Sequence, residues 1–311
     1  TSYIEMPNTN PQTTNMDALL NKHAIATKTS MANFGFLFGG TNDNLNEIIK
    51  LDETKAAGIK LFLGSSTGNM LVDNEIVIKK IFSNTSLPIA VHCEDESIIK
   101  KNLFECIKTF GDDIPIEKHS EIRSEEACYL SSSKAIKLAK ETGARLHVFH
   151  LSTAKETFLF KNDQPLTSKK ITSEVCVHHL LFSEDDYQEK GAYIKWNPSI
   201  KKASDREELW KALTDNRIDI LATDHAPHTL EEKQNPYTSA PSGGPLVQHA
   251  LIALLTEAKK GKITLEKLVE KACHNPAILF KIQNRGYLRE GYFADLVLVD
   301  LNKKTTVKKE N

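Results

Sequence analysis

Apolar positions along this chain follow two alternating rhythms. Short runs rich in β-branched and aromatic residues recur at 2–6, 33–38, 58–63, 88–92, 145–150, 171–177 and 218–223, each of strand length. Between and after them, apolar residues spaced by three and four mark amphipathic helices over 45–57, 72–82, 123–142, 205–215, 244–258 and 264–273. Strand, helix, strand in repetition predicts a parallel sheet wrapped by helices. Seven strands are one short of a closed (β/α)8 barrel, so the architecture expected is a TIM-like barrel with a strand missing. Beyond Asn275-Pro276 the stretch 285–300 reads as a turn and an apolar strand with no helix behind it. The division expected is therefore a barrel over 1–280, incomplete at its N-terminal side, and the start of a small β appendage over 281–311.

Polar side chains collect at the C-terminal ends of these strands: Asn8, Lys60, His92, His150, His178, His179, Asn197 and Asp224. That is the face on which (β/α)8 barrels build active sites, because the strand ends converge there. Lys60, His92, His150 and Asp224 sit at the ends of four different strands, and imidazole with carboxylate is a donor set that suits zinc or a similar divalent metal. Alone, a strand-end histidine is more often a hydrogen-bonded structural group, and an aspartate there is commonly a helix cap. Lys60 is the odd member, since an ammonium inside the apolar run Gly-Ile-Lys-Leu-Phe-Leu is costly to bury and its pKa falls when it is buried. Four such residues at four strand ends point to a metal-assisted hydrolase, because a bound ion lowers the pKa of water toward about 7.

Composition narrows the partners. The 311 residues, 40% hydrophobic and 26% charged, carry 40 basic and 41 acidic side chains, and the only basic cluster is the tail Lys303, Lys304, Lys308 and Lys309. Neither nucleic acid nor a membrane is expected as a partner. Five scattered cysteines without a CxxC pair indicate reduced thiols, and hence a cytoplasmic protein. The chain opens at Thr1 and runs at once into apolar residues, so a longer protein beginning upstream is expected.

The motifs Met6-Pro7-Asn8-Thr9, Lys60 in Gly-Ile-Lys-Leu-Phe-Leu-Gly-Ser-Ser-Thr-Gly-Asn-Met, Val91-His92-Cys93-Glu94-Asp95, Val148-Phe149-His150-Leu151-Ser152-Thr153, Lys195-Trp196-Asn197-Pro198 and Ala222-Thr223-Asp224-His225-Ala226-Pro227-His228 resemble, in order, those of dihydroorotases in the amidohydrolase superfamily. The resemblance spans residues 2–300. It implies two divalent metals, zinc being expected, bridged by an N6-carboxylated Lys60, with His92 and His150 on the second metal. It also implies that Asp224 binds the first metal and shuttles a proton between the attacking hydroxide and the leaving nitrogen. Asn8, Asn197 and His228 would contact the substrate, and backbone groups around Pro241-Ser-Gly-Gly244 would hold its ring. The implied reaction is the reversible hydrolysis of dihydroorotate to N-carbamoyl-L-aspartate in pyrimidine synthesis. As partners, the resemblance suggests a second copy of the chain and the preceding enzyme, aspartate carbamoyltransferase.

This sequence departs from that pattern in two places. Family members carry a His-x-His pair ending barrel strand 1, with an Arg just beyond that grips the substrate carboxylate; no His-x-His occurs here. The absent strand is thus read as the first, and this chain alone is expected to be inactive or nearly so. Lys201 also stands where relatives commonly have Arg, and it is given no role. Two further readings stay open: another cyclic amidohydrolase, such as a dihydropyrimidinase, hydantoinase or allantoinase, and a non-catalytic barrel kept as a scaffold. Arg123 is read as opening a helix and pairing with a carboxylate, His178 and His179 as structural at least as readily as pocket-lining, and 65–68 as a flexible loop.

Overall fold

The computed structural model describes residues 2–64 and 70–308; the loop at 65–68 lies outside them. Seven strands, β1 (Ser2–Glu5), β2 (Asn33–Gly39), β3 (Gly58–Phe62), β4 (Ile89–His92), β5 (Leu146–Val148), β6 (Ile171–Cys176) and β7 (Ile220–Ala222), form one sheet in sequential order. Every neighbouring pair is parallel. The sheet curls into a (β/α)8-like barrel that lacks one strand, and among the described residues β1 and β7 do not pair with each other.

Register explains how polar groups come to line the inside. Gly39, Lys60, Ala90, His147 and Thr172 are partners across β2 to β6, so they form one row on one face. Side chains alternate along a strand, which sends Ile59 and Leu61 outward into the main core with Leu19, Ile81, Val91, Val148 and Val175. Lys60 and Ala90 turn inward, where a smaller cluster of Leu37, Ala90 and Phe149 is joined by Ile4, Met6 and Phe280.

Besides several short helices, two long ones escaped the apolar periodicity, Met16–Thr29 and Glu96–Phe110. The first buries only Leu19 and Ala26, the second only Ile99, so neither carries a broad apolar stripe. Their caps are nonetheless local: the Asn15 side chain accepts from Ala18 N, and the Asp95 carboxylate accepts from Ser97 N and Ile98 N. The helix expected over 45–57 stops at Ile49, because the Asp52 carboxylate turns the chain by accepting from Thr54 N and Oγ1 at 3.0 and 2.7 Å. Arg123 lies just outside its helix, Glu125–Thr142, which Ser124 caps and Gly143 ends in the left-handed region. The helix expected over 244–258 is Ala250–Lys259, and that over 264–273 is Leu265–Val269 followed by a π turn, Glu270–His274.

At the C-terminal end no strand forms in the run around Leu296, Val297, Leu298 and Val299, whose side chains are exposed. The expected β segment has no neighbouring strand among the described residues, and a strand without a partner has no ladder to hold it. No helix among the described residues is long and apolar enough to cross a membrane.

Candidate active site

His92 ends β4, and His150 lies two residues beyond β5. Their rings meet inside the barrel mouth with His92 Nδ1 and His150 Nε2 3.0 Å apart. Burial lowers the pKa of both, so each ring is neutral and has a lone pair to offer. His92 Nε2 is held 2.9 Å from Glu94 Oε2, and Glu94 is also gripped by Arg123 Nη1. This fixes the Nε2–H tautomer of His92 and turns Nδ1 toward His150, as an outer carboxylate does for a metal-ligating histidine. His150 Nδ1 is buried without a hydrogen-bond partner.

Lys60 is 2% exposed. Its ammonium stands 4.0 Å from the ring centre of Phe149 and 4.8 Å from that of Phe62, with no carboxylate in ion-pair reach among the described residues. Burial pulls its pKa down to about 8, against the charges of Glu174 and Asp224. Asp224 lies two residues beyond β7, and burial pushes its carboxyl up to about 6, offset by Lys60. Both His150 (φ 36°) and Asp224 (φ 47°) sit in the left-handed region, a strained backbone that persists where surrounding packing imposes it and that clusters at functional sites.

The structure thus joins His92 with His150 directly, and Lys60 with Asp224 through their fields. Among the described residues no three His, Cys, Asp or Glu side chains converge as a ligand group. The residues present fit a metal in this respect: facing neutral imidazoles, an orphaned ring nitrogen, and a buried amine of lowered pKa on which carbon dioxide can form a carbamate.

Of the substrate contacts expected from sequence, Asn197 Oδ1 accepts from Ser242 Oγ at 3.1 Å, which ties it to the predicted ring-holding loop. Asn8 is exposed three residues beyond β1. His228 is turned toward the helix that follows it, with Nδ1 3.6 Å from Glu232 Oε2. His178 stacks on Trp196 at 4.3 Å with both ring nitrogens buried and unpartnered among the described residues, and His179 Nε2 lies 3.1 Å from Pro198 O. Lys201 donates to Ser199 Oγ at 2.8 Å. Sequence reading missed the role of Glu94, although it lies in the same motif as His92, and missed His147, whose Nε2 lies 3.1 Å from Glu174 Oε2 in the layer beneath the mouth.

Gly243 shapes the loop. Its φ of 129° is outside the reach of most L-residues, and a Cβ there would stand 2.5 Å from Ala226 O. Gly243→Ala is expected to destabilise the fold by about 2 kcal/mol in urea unfolding and to raise KM more than it lowers kcat.

The amidohydrolase family model matches residues 1–311. A dihydroorotase of Methanosphaera stadtmanae is 32% identical over all of this chain and 70% of its own length. An L-hydantoinase of Paenarthrobacter aurescens is 32% identical over 99% of this chain and 68% of its own. The solved L-hydantoinase (dihydropyrimidinase) of Arthrobacter aurescens superimposes with a TM-score of 0.93 at 30% identity, covering 99% of this chain and 69% of that one. The chain spans 61–70% of the length of curated relatives it matches. With its strand-end histidines, buried lysine and aspartate set on a parallel barrel, the chain belongs to the amidohydrolase family.

Proposed function

We propose that the protein of which this chain is part hydrolyses a cyclic amide, and that its ring is a neutral one of the hydantoin or dihydropyrimidine kind. The observation that carries the reaction class is the buried, neutral His92–His150 pair at the barrel mouth, aimed by Glu94. The neutral ring is supported by the L-hydantoinase likeness at TM-score 0.93, and four of the basic residues near the site are already engaged. Arg123 holds Glu94, Lys201 holds Ser199, and Lys195 and Lys233 hold backbone carbonyls.

In this reading Lys60 as its carbamate, His92, His150 and Asp224 hold the metals. When bound, the ions would polarise the ring carbonyl and lower the pKa of water. Asp224 takes the proton from the attacking water and gives it to the ring nitrogen as the C–N bond breaks. Asn197, braced by Ser242, hydrogen-bonds the ring. A second reading, dihydroorotate as substrate, is supported by Met6-Pro7-Asn8-Thr9 and by curated relatives named dihydroorotase.

The test is ring opening of hydantoin, dihydrouracil and dihydroorotate, followed together with metal content, by the chain alone and by the chain extended with its upstream coding sequence. A kcat/KM at least ~10-fold higher for a neutral ring, about 1.4 kcal/mol of discrimination, supports the proposal. The opposite preference moves the substrate to dihydroorotate. Absence of metal and turnover in both forms removes the enzyme reading in favour of a scaffold.

A further inference from the structure

Between the helices Leu230–Lys233 and Ala250–Lys259 the chain has no long regular element, so its backbone groups must be satisfied some other way. Two lysines do much of this. Lys195 Nζ donates to Tyr237 O at 2.6 Å and Ala240 O at 2.5 Å. Lys233 Nζ donates to Pro241 O at 2.9 Å, Gly243 O at 2.7 Å and Lys195 O at 3.2 Å. Gly243 N closes the circuit on Lys195 O at 2.9 Å. Both lysines are buried, and no carboxylate figures among the influences on either.

We propose that Lys195 and Lys233 are positioning residues for the ring substrate, their ammonium groups clamping residues 237–243 against the barrel mouth so that Ser242 braces Asn197. An ammonium is a compact charge with three donors, so one tip can gather several carbonyls that neutral side chains could not. Burying such a charge without an anion is costly, and here the carbonyl dipoles of the loop are its compensation. The clamped segment reaches two parts of the site at once. Ser242 Oγ meets Asn197 Oδ1 at 3.1 Å, and Ala226, two residues past Asp224, donates from N to Gly244 O at 3.2 Å. His119 adds a neutral anchor at the far end, one ring nitrogen 2.8 Å from Tyr237 OH and the other 2.7 Å from Trp196 O.

This rests on the cyclic-amide reading above, and the test separates the two. Lys195→Met and Lys233→Met are expected to raise KM for the preferred ring roughly 10-fold or more while kcat changes less than about threefold, with metal content unchanged. Lys→Arg at either site should recover part of the loss. Chymotryptic cleavage after Tyr237 should quicken by at least ~10-fold in both methionine variants, because the loop opens locally at lower cost. Ser242→Ala, which leaves both lysines in place, should raise KM roughly 3- to 10-fold, the worth of one hydrogen bond. Unchanged cleavage in folded variants overturns the clamp whether or not any ring is hydrolysed. Should the methionine variants fail to fold, an unchanged KM in Ser242→Ala overturns it. If the unaltered protein opens no ring, the functional reading fails, and the cleavage rates alone decide the clamp.

Discussion

Lys60→Met is expected to make the metal-free fold more stable while removing its chemistry, two effects of opposite sign from one side chain. Lys60 is buried against the rings of Phe62 and Phe149, with no carboxylate in ion-pair reach among the described residues. Replacing a buried charge by an apolar chain of similar volume commonly stabilises, here by roughly 1–4 kcal/mol. The sign can be checked against pH. Burial lowers the folded-state pKa to about 8 from 10.5, so between these values the unfolded chain holds the proton that the folded one has lost. Stability of the unaltered protein therefore rises with pH across that window, and its deficit against Lys60→Met shrinks from about pH 8 upward. Activity moves the other way. In the proposed mechanism the amine carries the carbamate ligand, so in its absence ring opening should fall ~10³-fold or more together with metal content. Urea unfolding of chelated protein, metal analysis and the ring assay decide the matter. A variant that loses stability as a truncated core residue does, yet keeps its turnover, would sink both halves of the argument.

How much of this was legible in the sequence depended on how local each cause was. The seven strands stood out because both faces of this sheet are largely covered, so their apolar runs are dense. Lys60 stood out for the same reason, as a charge in such a run. The helices at 16–29 and 96–110 did not, since each buries one or two residues and a helix that rests lightly on the core leaves no stripe. Their caps, Asn15 and Asp95, were the better signal. His92, His150 and Asp224 stood out because strand ends converge in a barrel, whereas the sequence had Arg123 pair with a carboxylate without saying which. Arg123 reaches Glu94 across 29 residues, and Lys195 gathers carbonyls more than 40 residues away, pairings that no periodicity announces. His228 is a mixed case: its motif implies a substrate contact, while in this structure its ring lies 3.6 Å from Glu232 Oε2.

Arg123→Met should be among the most destabilising single changes in the chain. Glu94 is fully buried, one oxygen shared between Arg123 and His92 and the other without a partner. Burial works against its ionisation, yet Arg123 and then His92 outweigh burial and hold the carboxyl at about 2. Removing the guanidinium strands a charge in the interior, at a cost of about 3–5 kcal/mol. The Glu94→Gln/Arg123→Met pair should recover a good part of that, because neither charge then remains. In the unaltered protein the contribution of Glu94 is present above its ordinary value near 4.5 and is lost as pH falls toward about 2. The stability gap between Arg123→Met and the unaltered protein should accordingly narrow in acid, where Glu94 takes up a proton more readily once its cation is gone. Glu94→Gln alone tests the other end of the chain of contacts. An amide at 94 can donate to His92 Nε2 and so permit the wrong tautomer, and metal affinity is expected to drop 10- to 100-fold with a smaller loss of stability. Additive effects in the double variant, measured by urea unfolding, would mean that Arg123 and Glu94 act independently, and an unchanged metal affinity in Glu94→Gln would mean that His92 is aimed by something else.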